Sequence, residues 1–291
     1  MTAIRHFHCE LTAGNGESVV LAASAANTAG LEILSSILHI PVQKKEISCV
    51  PEVVISSGNK QENMRHFAGL RGMFQVALHP EEVAFYFYDL KDIQPFEFGR
   101  WLLAAGVLAA ALRGKRIMMM HGALLETSPG HGIILGADSG TGKSTTSKRW
   151  SRCGKKSVAD DMLLVAWDDQ FVYAHGLPTW SRLNAGESVC DLHYPFVPGL
   201  IVDTVLDLRR EKEKEEVKMI SGAEFFARIC RSSYYFLQNL IRNFTAEEKE
   251  RVNRSFAAGI NRIVDDFPPR ALYARLEDDL SQTIGGITRA V

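Results

Sequence analysis

The chain has little of what ties a small fold together from outside its core. Five cysteines stand in 291 residues, and Cys9, Cys49, Cys153, Cys190 and Cys230 are scattered, odd in number and never spaced C-x-x-C. That pattern suggests neither a disulfide framework nor a zinc site, and the thiols read as those of a reduced, cytoplasmic protein. A surplus of one charge is missing too, since 33 Lys and Arg face 34 Asp and Glu. Without a basic excess there is no electrostatic footprint for nucleic acid or for a membrane surface, and neither is expected as a partner. The longest apolar stretch, Trp101 to Leu112, is shorter than the ~20 residues that span a bilayer. Met1 to Glu10 lacks the charged-then-apolar pattern of a secretory signal, so a soluble cytoplasmic protein is the expectation. No internal repeat or low-complexity segment is visible, and the length allows one large domain or two smaller ones around a sizeable core.

Residues 1–95 alternate short apolar runs with polar turns and read as a small α+β domain. Val19 to Ala22 and Ala84 to Tyr88 have the β-branched and aromatic content of strands, and Ala26 to Leu38 reads as a helix. Phe96 to Arg113 is apolar nearly all round, preceded by Pro95 and followed by Gly114, as a buried helix would be. Residues 96–291 then form the second, α/β domain. It opens with a strand at Ile117 to Met120, a turn, and a strand at His131 to Leu135. After a glycine-rich loop come a helix from Thr145 to Trp150 and a strand from Lys156 to Val158. Leu163 to Trp167 and Phe171 to Ala174 pair as a hairpin across Asp168-Asp169-Gln170. The mixed-sign run Leu208 to Glu216 reads as an exposed helix or a loop, and Ala223 to Arg228 and Tyr234 to Ile241 as amphipathic helices whose aromatics pack in the core, while Arg228, Arg231 and Arg242 could face phosphate or a peptide carboxylate.

Ala137-Asp138-Ser139-Gly140-Thr141-Gly142-Lys143-Ser144-Thr145 lies between the apolar strand and the helix. Strand, glycine loop and helix in this order make a phosphate cradle. Gly140 and Gly142 permit the tight turn that aims successive N–H groups at phosphate oxygens, and the helix N-terminus adds partial positive charge. Lys143 would reach the β- and γ-phosphates and Ser144 would hold Mg²⁺. Ala137 stands where the motif usually begins with glycine. A nucleotide's phosphates and Mg²⁺ are therefore the expected ligands.

Asp160-Asp161 follows an apolar strand beyond the loop. At the end of a strand neighbouring such a loop, one carboxylate can hold the metal while another takes a hydroxyl proton. Adjacent acids also occur as turns or caps, as at Asp168-Asp169 and Asp265-Asp266. His121-Gly122 ends the strand before the loop strand. A histidine among apolar residues is commonly a satisfied core residue, but if its strand lies beside the loop strand its imidazole would reach Asp160 and tune its proton affinity.

His121-Gly122, Ile133 to Gly136 with Asp138 to Ser144, and Val158-Ala159-Asp160-Asp161 together resemble the catalytic domain of bacterial HPr kinase/phosphorylase, over His121 to Val165. The resemblance implies a P-loop kinase core like that of phosphoenolpyruvate carboxykinase and, as in HPr kinase/phosphorylase, transfer of phosphate from ATP with Mg²⁺ to a serine of a small protein. It implies Asp160 as the base that accepts the serine proton, aided by His121, and Asp161 as an acid on the metal side. It also leaves room for a homo-oligomer. Phe267 to Leu272, with Leu276 to Asp279, resembles the last strand of such domains. The chain departs from that family in lacking a Leu-Glu-Ile-Arg-Gly segment that supplies a further metal-side Glu, and with it the expectation of the reverse, phosphorylase, activity. In its place stands Ala174-His175-Gly176-Leu177-Pro178-Thr179-Trp180-Ser181-Arg182, similar to the divergent HPr-kinase-like proteins of peptide-modification clusters, the lasso-peptide kinases and the SynChlorMet cassette protein ScmC among them. Arg182 would then stabilise the transferring phosphate and His175 would replace a metal-side ligand; a polar strand end with Trp180 in the core is the other reading of this segment. The resemblance implies a kinase acting on serine in a peptide or small protein. A free-serine kinase and a non-catalytic ATP-binding partner in peptide maturation are the other two readings.

Overall fold

In the computed structural model of this chain the described residues are 7–44, 47, 49–56, 64–67, 75–88, 95–178, 196, 198–211, 215–234, 237–242, 244–275, 280, 283–284 and 287. The architecture is α/β, with two mixed sheets. The first contains β1 (Phe7–Thr12), β2 (Ser18–Ala23), β3 (Gln43–Lys44), β4 (Val53–Ile55), β5 (Arg65–Phe67), β6 (Gln75–His79) and β7 (Ala84–Tyr88). Their order is β3-β1-β2-β4-β7-β6-β5. The β1–β2 hairpin is antiparallel, whereas β2–β4 and β4–β7 are parallel, and α1 (Thr28–Leu38) supplies the crossover after β2.

Helix α2 (Pro95–Leu112) separates the two sheets in sequence and packs on both. From Leu102 to Leu112 every residue is buried, which is what an all-round apolar sequence requires of its surroundings. A Cβ at Gly106 would stand 2.7 Å from Val19 of β2, so glycine permits this close approach. Residues of both sheets join one apolar core, which includes Leu21, Val53 and Phe85 on one side and Met118, Leu163 and Val205 on the other.

The second sheet is built from β8 (Ile117–Ser128), β9 (His131–Gly136), β10 (Ser157–Ala159), β11 (Met162–Trp167), β12 (Val172–Leu177), β13 (Leu200–Arg210), β14 (Glu216–Met219) and β15 (Arg270–Ala274). Its main path is β10-β8-β11-β12-β13-β15-β14, and β9 bridges β8 and β13, so the ladder closes on itself. The long β8 changes partner midway. Ile117 to His121 pair with β11, and Gly122 to Ser128 pair with β9. The expected turn after Met120 is therefore absent: the strand continues through His121-Gly122 and turns only at Pro129-Gly130, where Gly130 has a φ of 81°. Helix α3 (Lys143–Arg152) covers one face through Trp150, while α4 (Gly222–Tyr234) and α6 (Ala246–Asp266) cover the other. The short α5 (Gln238–Ile241) lies between the last two.

Several sequence expectations change here. The Asp168 hairpin turn is present, its Oδ1 accepting the N–H groups of Gln170 and Phe171 at 2.7 Å. The charge run at Leu208 to Glu216 is no helix: its ends belong to β13 and β14, and residues 212–214 lie outside the described set. Arg209 instead spends its charge on Asp207 and Glu224, both at 2.7 Å. The expected helix at Tyr234 to Ile241 is broken, since α4 ends at Tyr234 and α5 begins at Gln238. The segment Leu276 to Asp279 lies outside the described residues. Among the described residues, no helix is long and apolar enough to cross a membrane.

Candidate functional site

Strand β9 is buried along Ile133, Ile134 and Leu135 and delivers the chain to the loop at Gly136. Ala137 is buried and belongs to the smaller apolar cluster, with Trp150 and Leu206, so a methyl group is accommodated where the motif has glycine. Gly140 and Gly142 adopt φ values of 79° and 112°, left-handed conformations that glycine alone takes cheaply. Gly142 is the residue before α3. No side chain caps this helix and no acidic residue lies in its first turn, so its leading N–H groups are open to an anion.

Lys143 opens α3 and curls back over the loop, its Nζ donating to the carbonyls of Ala137 at 2.8 Å and Asp138 at 3.0 Å. Burial lowers its amine to about 8, against the opposing pull of Asp161, Asp138 and Asp160. The loop's own carbonyls thus hold the cation at a place where phosphate oxygens would be stronger partners. Thr141 stays within the loop, its hydroxyl donating to the Asp138 carbonyl at 2.8 Å.

The partner change in β8 brings the second group of residues to this loop. His121 lies opposite Met162 of β11, and Gly122 lies opposite Gly136 of β9. A Cβ at Gly122 would press on the Leu135 carbonyl at 3.1 Å and on Ile134, so His-Gly suits the point where three strands converge. Asp160 and Asp161 occupy the step between β10 and β11, with the Asp161 carbonyl accepting the Gly122 N–H at 3.1 Å. The condition set on His121, a strand beside the loop strand, is met, and the carboxylate it meets is that of Asp161, Nε2 to Oδ1 at 3.0 Å. A guanidinium from α2, Arg100, approaches the other Asp161 oxygen at 3.9 Å. Burial acts to raise the Asp161 carboxyl, but the His121 hydrogen bond and the charges of His121, Arg100 and Lys143 outweigh it and hold the group below its ordinary value.

His121, Ser139, Gly140, Gly142, Lys143, Ser144, Thr145, Asp160 and Asp161 line one cleft of about 250 Å³. Residues from three separate stretches of sequence therefore meet in one place. Asp138 stands beside it, paired with Arg231 at 2.8 Å and Arg228 at 3.5 Å. Arg182 lies outside the described residues. His175 lines a different cavity, of about 600 Å³, where its Nε2 accepts the Gly14 N–H at 3.0 Å. Its partner there is a backbone amide at the β1–β2 turn, so its expected place as a substitute metal ligand is not supported. Sequence reading missed Arg100, although it is the lone cation within the apolar stretch of α2.

Among the described residues no cluster of three His, Cys, Asp or Glu side chains is spaced to hold a metal ion. The cleft offers instead a hydroxyl and two carboxylates, an all-oxygen set suited to Mg²⁺, which commonly keeps waters and takes phosphate oxygens as further ligands. Open helix amides, a buried amine and paired acids can together bind a phosphorylated ligand and move a proton beside it.

A comparison with protein families matches residues 100–284 to the family described as SynChlorMet cassette protein ScmC. The matched span contains every residue that lines the cleft. Among curated proteins no match was found.

Proposed function

The chain belongs to the SynChlorMet cassette protein ScmC family, and from that premise we propose that it is an ATP- and Mg²⁺-dependent kinase transferring the γ-phosphoryl group to a serine hydroxyl of a peptide or small protein. The observation that carries this reading is the meeting of the glycine loop, Lys143 and Ser144 with His121, Asp160 and Asp161 in one cleft. The cassette in the family's description supports a peptide-modification setting, with a ribosomally made precursor peptide as the acceptor. The cleft is smaller than the ~300–1,000 Å³ of sites that enclose a small molecule. It has room for phosphates and the attacking hydroxyl, and leaves the nucleotide base and the body of the acceptor outside.

In this mechanism the loop amides and the α3 N-terminus hold the phosphate chain, and Lys143 leaves the Ala137 and Asp138 carbonyls for the β- and γ-oxygens. Ser144 and Asp161 would hold the metal, and the low proton affinity of Asp161 keeps it ionised for that task. Mg²⁺, when bound, supplies charge neutralisation at the phosphates. His121 and Arg100 orient Asp161. Asp160 accepts the proton of the serine hydroxyl as its oxygen bonds to the γ-phosphorus and the bond to the bridging oxygen breaks, releasing ADP. Positioning and charge do most of the work, as phosphoryl transfer requires.

The test is incubation with Mg²⁺ and γ-labelled ATP, with Ser-containing precursor peptides or free serine as acceptors, beside an Asp160→Asn control. Label on a peptide serine that vanishes in the variant supports the proposal. Label on free serine alone would make the protein a small-molecule kinase. Nucleotide binding without transfer to any acceptor would make it a non-catalytic ATP-binding partner.

A further inference from the structure

The loop carboxylate of Asp138 faces two guanidiniums that the mechanism above leaves idle. Arg228 and Arg231 stand three residues apart on α4 and so share a face. That helix is fixed over the start of the loop. Ile229 is buried, and its Cδ1 lies 2.6 Å from where a Cβ on Gly136 would stand. Arg231 NH2 meets Asp138 Oδ2 at 2.8 Å, and Arg228 NH2 reaches the same oxygen at 3.5 Å. One carboxylate oxygen beside a cradle for phosphate thus gathers two cations.

Behind them lies a buried acid. Asp207 on β13 is 1 % exposed and sits in register with Gly136 on the parallel β9. Its Oδ2 is 2.6 Å from Arg228 Nε and 2.7 Å from Arg209 Nε. Its Oδ1 has no hydrogen-bond partner among the described residues, and the Arg228 Nε approach is close in distance without being aligned as a hydrogen bond. The stem of Arg228 is therefore held by charge while its far end points toward the loop. The Arg231–Asp138 pair is well exposed, at 63 % and 41 %. Exposed pairs contribute little, whereas a guanidinium on a phosphate gains charge-assisted, fork-shaped hydrogen bonds.

We propose that Arg228 and Arg231 are phosphate-gripping residues which Asp138 holds in place until nucleotide binds, and that Asp207 is the positioning residue for Arg228. The proposal rests on the reading of the loop cleft as a nucleotide site. On binding, the two guanidiniums pass from the Asp138 carboxylate to the terminal phosphate, so ATP gains contacts that ADP lacks.

Calorimetry of the full chain with Mg²⁺ and either ADP or a non-hydrolysable ATP analogue tests this. Arg231→Gln, at an exposed position, should weaken the ATP analogue about tenfold and leave ADP within about twofold, the signature of a lost charge-assisted contact to the terminal phosphate. Asp138→Asn, which removes the loop carboxylate from both guanidiniums while Arg228 stays held by Asp207, should tighten the ATP analogue more than ADP. Asp207→Asn should weaken the ATP analogue in the parent and have no added effect in an Arg228→Lys background, a coupling that a merely structural role would not produce. Equal loss for both nucleotides, or no loss for either, would overturn the proposal while leaving the nucleotide site standing. Failure of the parent protein to bind either nucleotide would overturn both.

Discussion

Two histidines of this chain are almost equally buried, His121 at 4 % exposure and His175 at 2 %, and both stand on strands that flank β11. Their surroundings differ completely. His121 faces the Asp161 carboxylate at the rim of a polar cleft beside the glycine loop. His175 accepts a backbone N–H from the β1–β2 turn and stacks on Phe196, ring centroids 4.7 Å apart and 7° from parallel. Gly199 is so near that a Cβ there would meet the imidazole at 2.5 Å. The first histidine orients an ionised acid, while the second clamps the N-terminal sheet to the β12–β13 edge. Burial and residue type are alike in the two regions, so the partner decides the role.

The difference can be broken or sharpened by substitution. In the cleft, Asp160→Asn should leave nucleotide affinity nearly intact while turnover falls about 10²- to 10⁴-fold, the range for a lost general base. Steady-state kinetics beside calorimetry separate the two effects. Lys143→Ala should weaken ATP about 10- to 100-fold, the loss of one hydrogen bond between charged groups. Equilibrium binding measures this directly.

A smaller effect should divide the two histidines. His121→Asn keeps a hydrogen-bond donor near Asp161 and should lower turnover about tenfold with little change in Tm, as for a group that orients another. His175→Ala should do the opposite, costing about 2–4 kcal/mol for the emptied ring volume, with nucleotide affinity unchanged. Thermal unfolding and kinetics on the same two variants give the cross-comparison. Parallel losses of turnover would erase the distinction.

The smallest effect concerns pH. The Lys143 amine, lowered to about 8 by burial, must be charged to hold phosphate, and bound phosphate raises its proton affinity. Binding therefore takes up a proton above that pH, and affinity falls as pH rises, by about fourfold at pH 8.5 relative to pH 7. Lys143→Arg, charged throughout, should give a flat profile over the same interval.

Much of the cleft is legible in the sequence because its chemistry is carried by short, ordered segments. The spacing of Gly140, Gly142, Lys143 and Ser144 requires a strand before and a helix after, and both are there. Asp160-Asp161 at a strand end and His121-Gly122 on the adjacent strand follow the same local logic. What could not be read depends on contacts between distant parts of the chain. Arg100 reaches Asp161 only because α2 is buried between the sheets, and its own segment shows nothing but an apolar helix with one cation. That Arg228, Arg231 and Arg242 could face phosphate or a carboxylate is legible, but which of them do so is not: only the packing of Ile229 on Gly136 brings Arg228 and Arg231 to Asp138. The partner change of β8 is equally hidden, since an extended run looks the same whichever strand it pairs with. His175 reads as a ligand from its place in the segment that replaces the missing metal-side Glu, whereas the Gly14 N–H that it accepts lies far away in sequence.

The most direct measurement is a crystal structure with Mg²⁺ and a non-hydrolysable ATP analogue. The account predicts a triphosphate along Ser139 to Thr145, with Lys143 Nζ moved from the Ala137 and Asp138 carbonyls onto phosphate oxygens and the metal beside Ser144 and Asp161. A nucleotide seated in the His175 cavity, or a loop whose Lys143 keeps its carbonyl partners at saturating nucleotide, would contradict it.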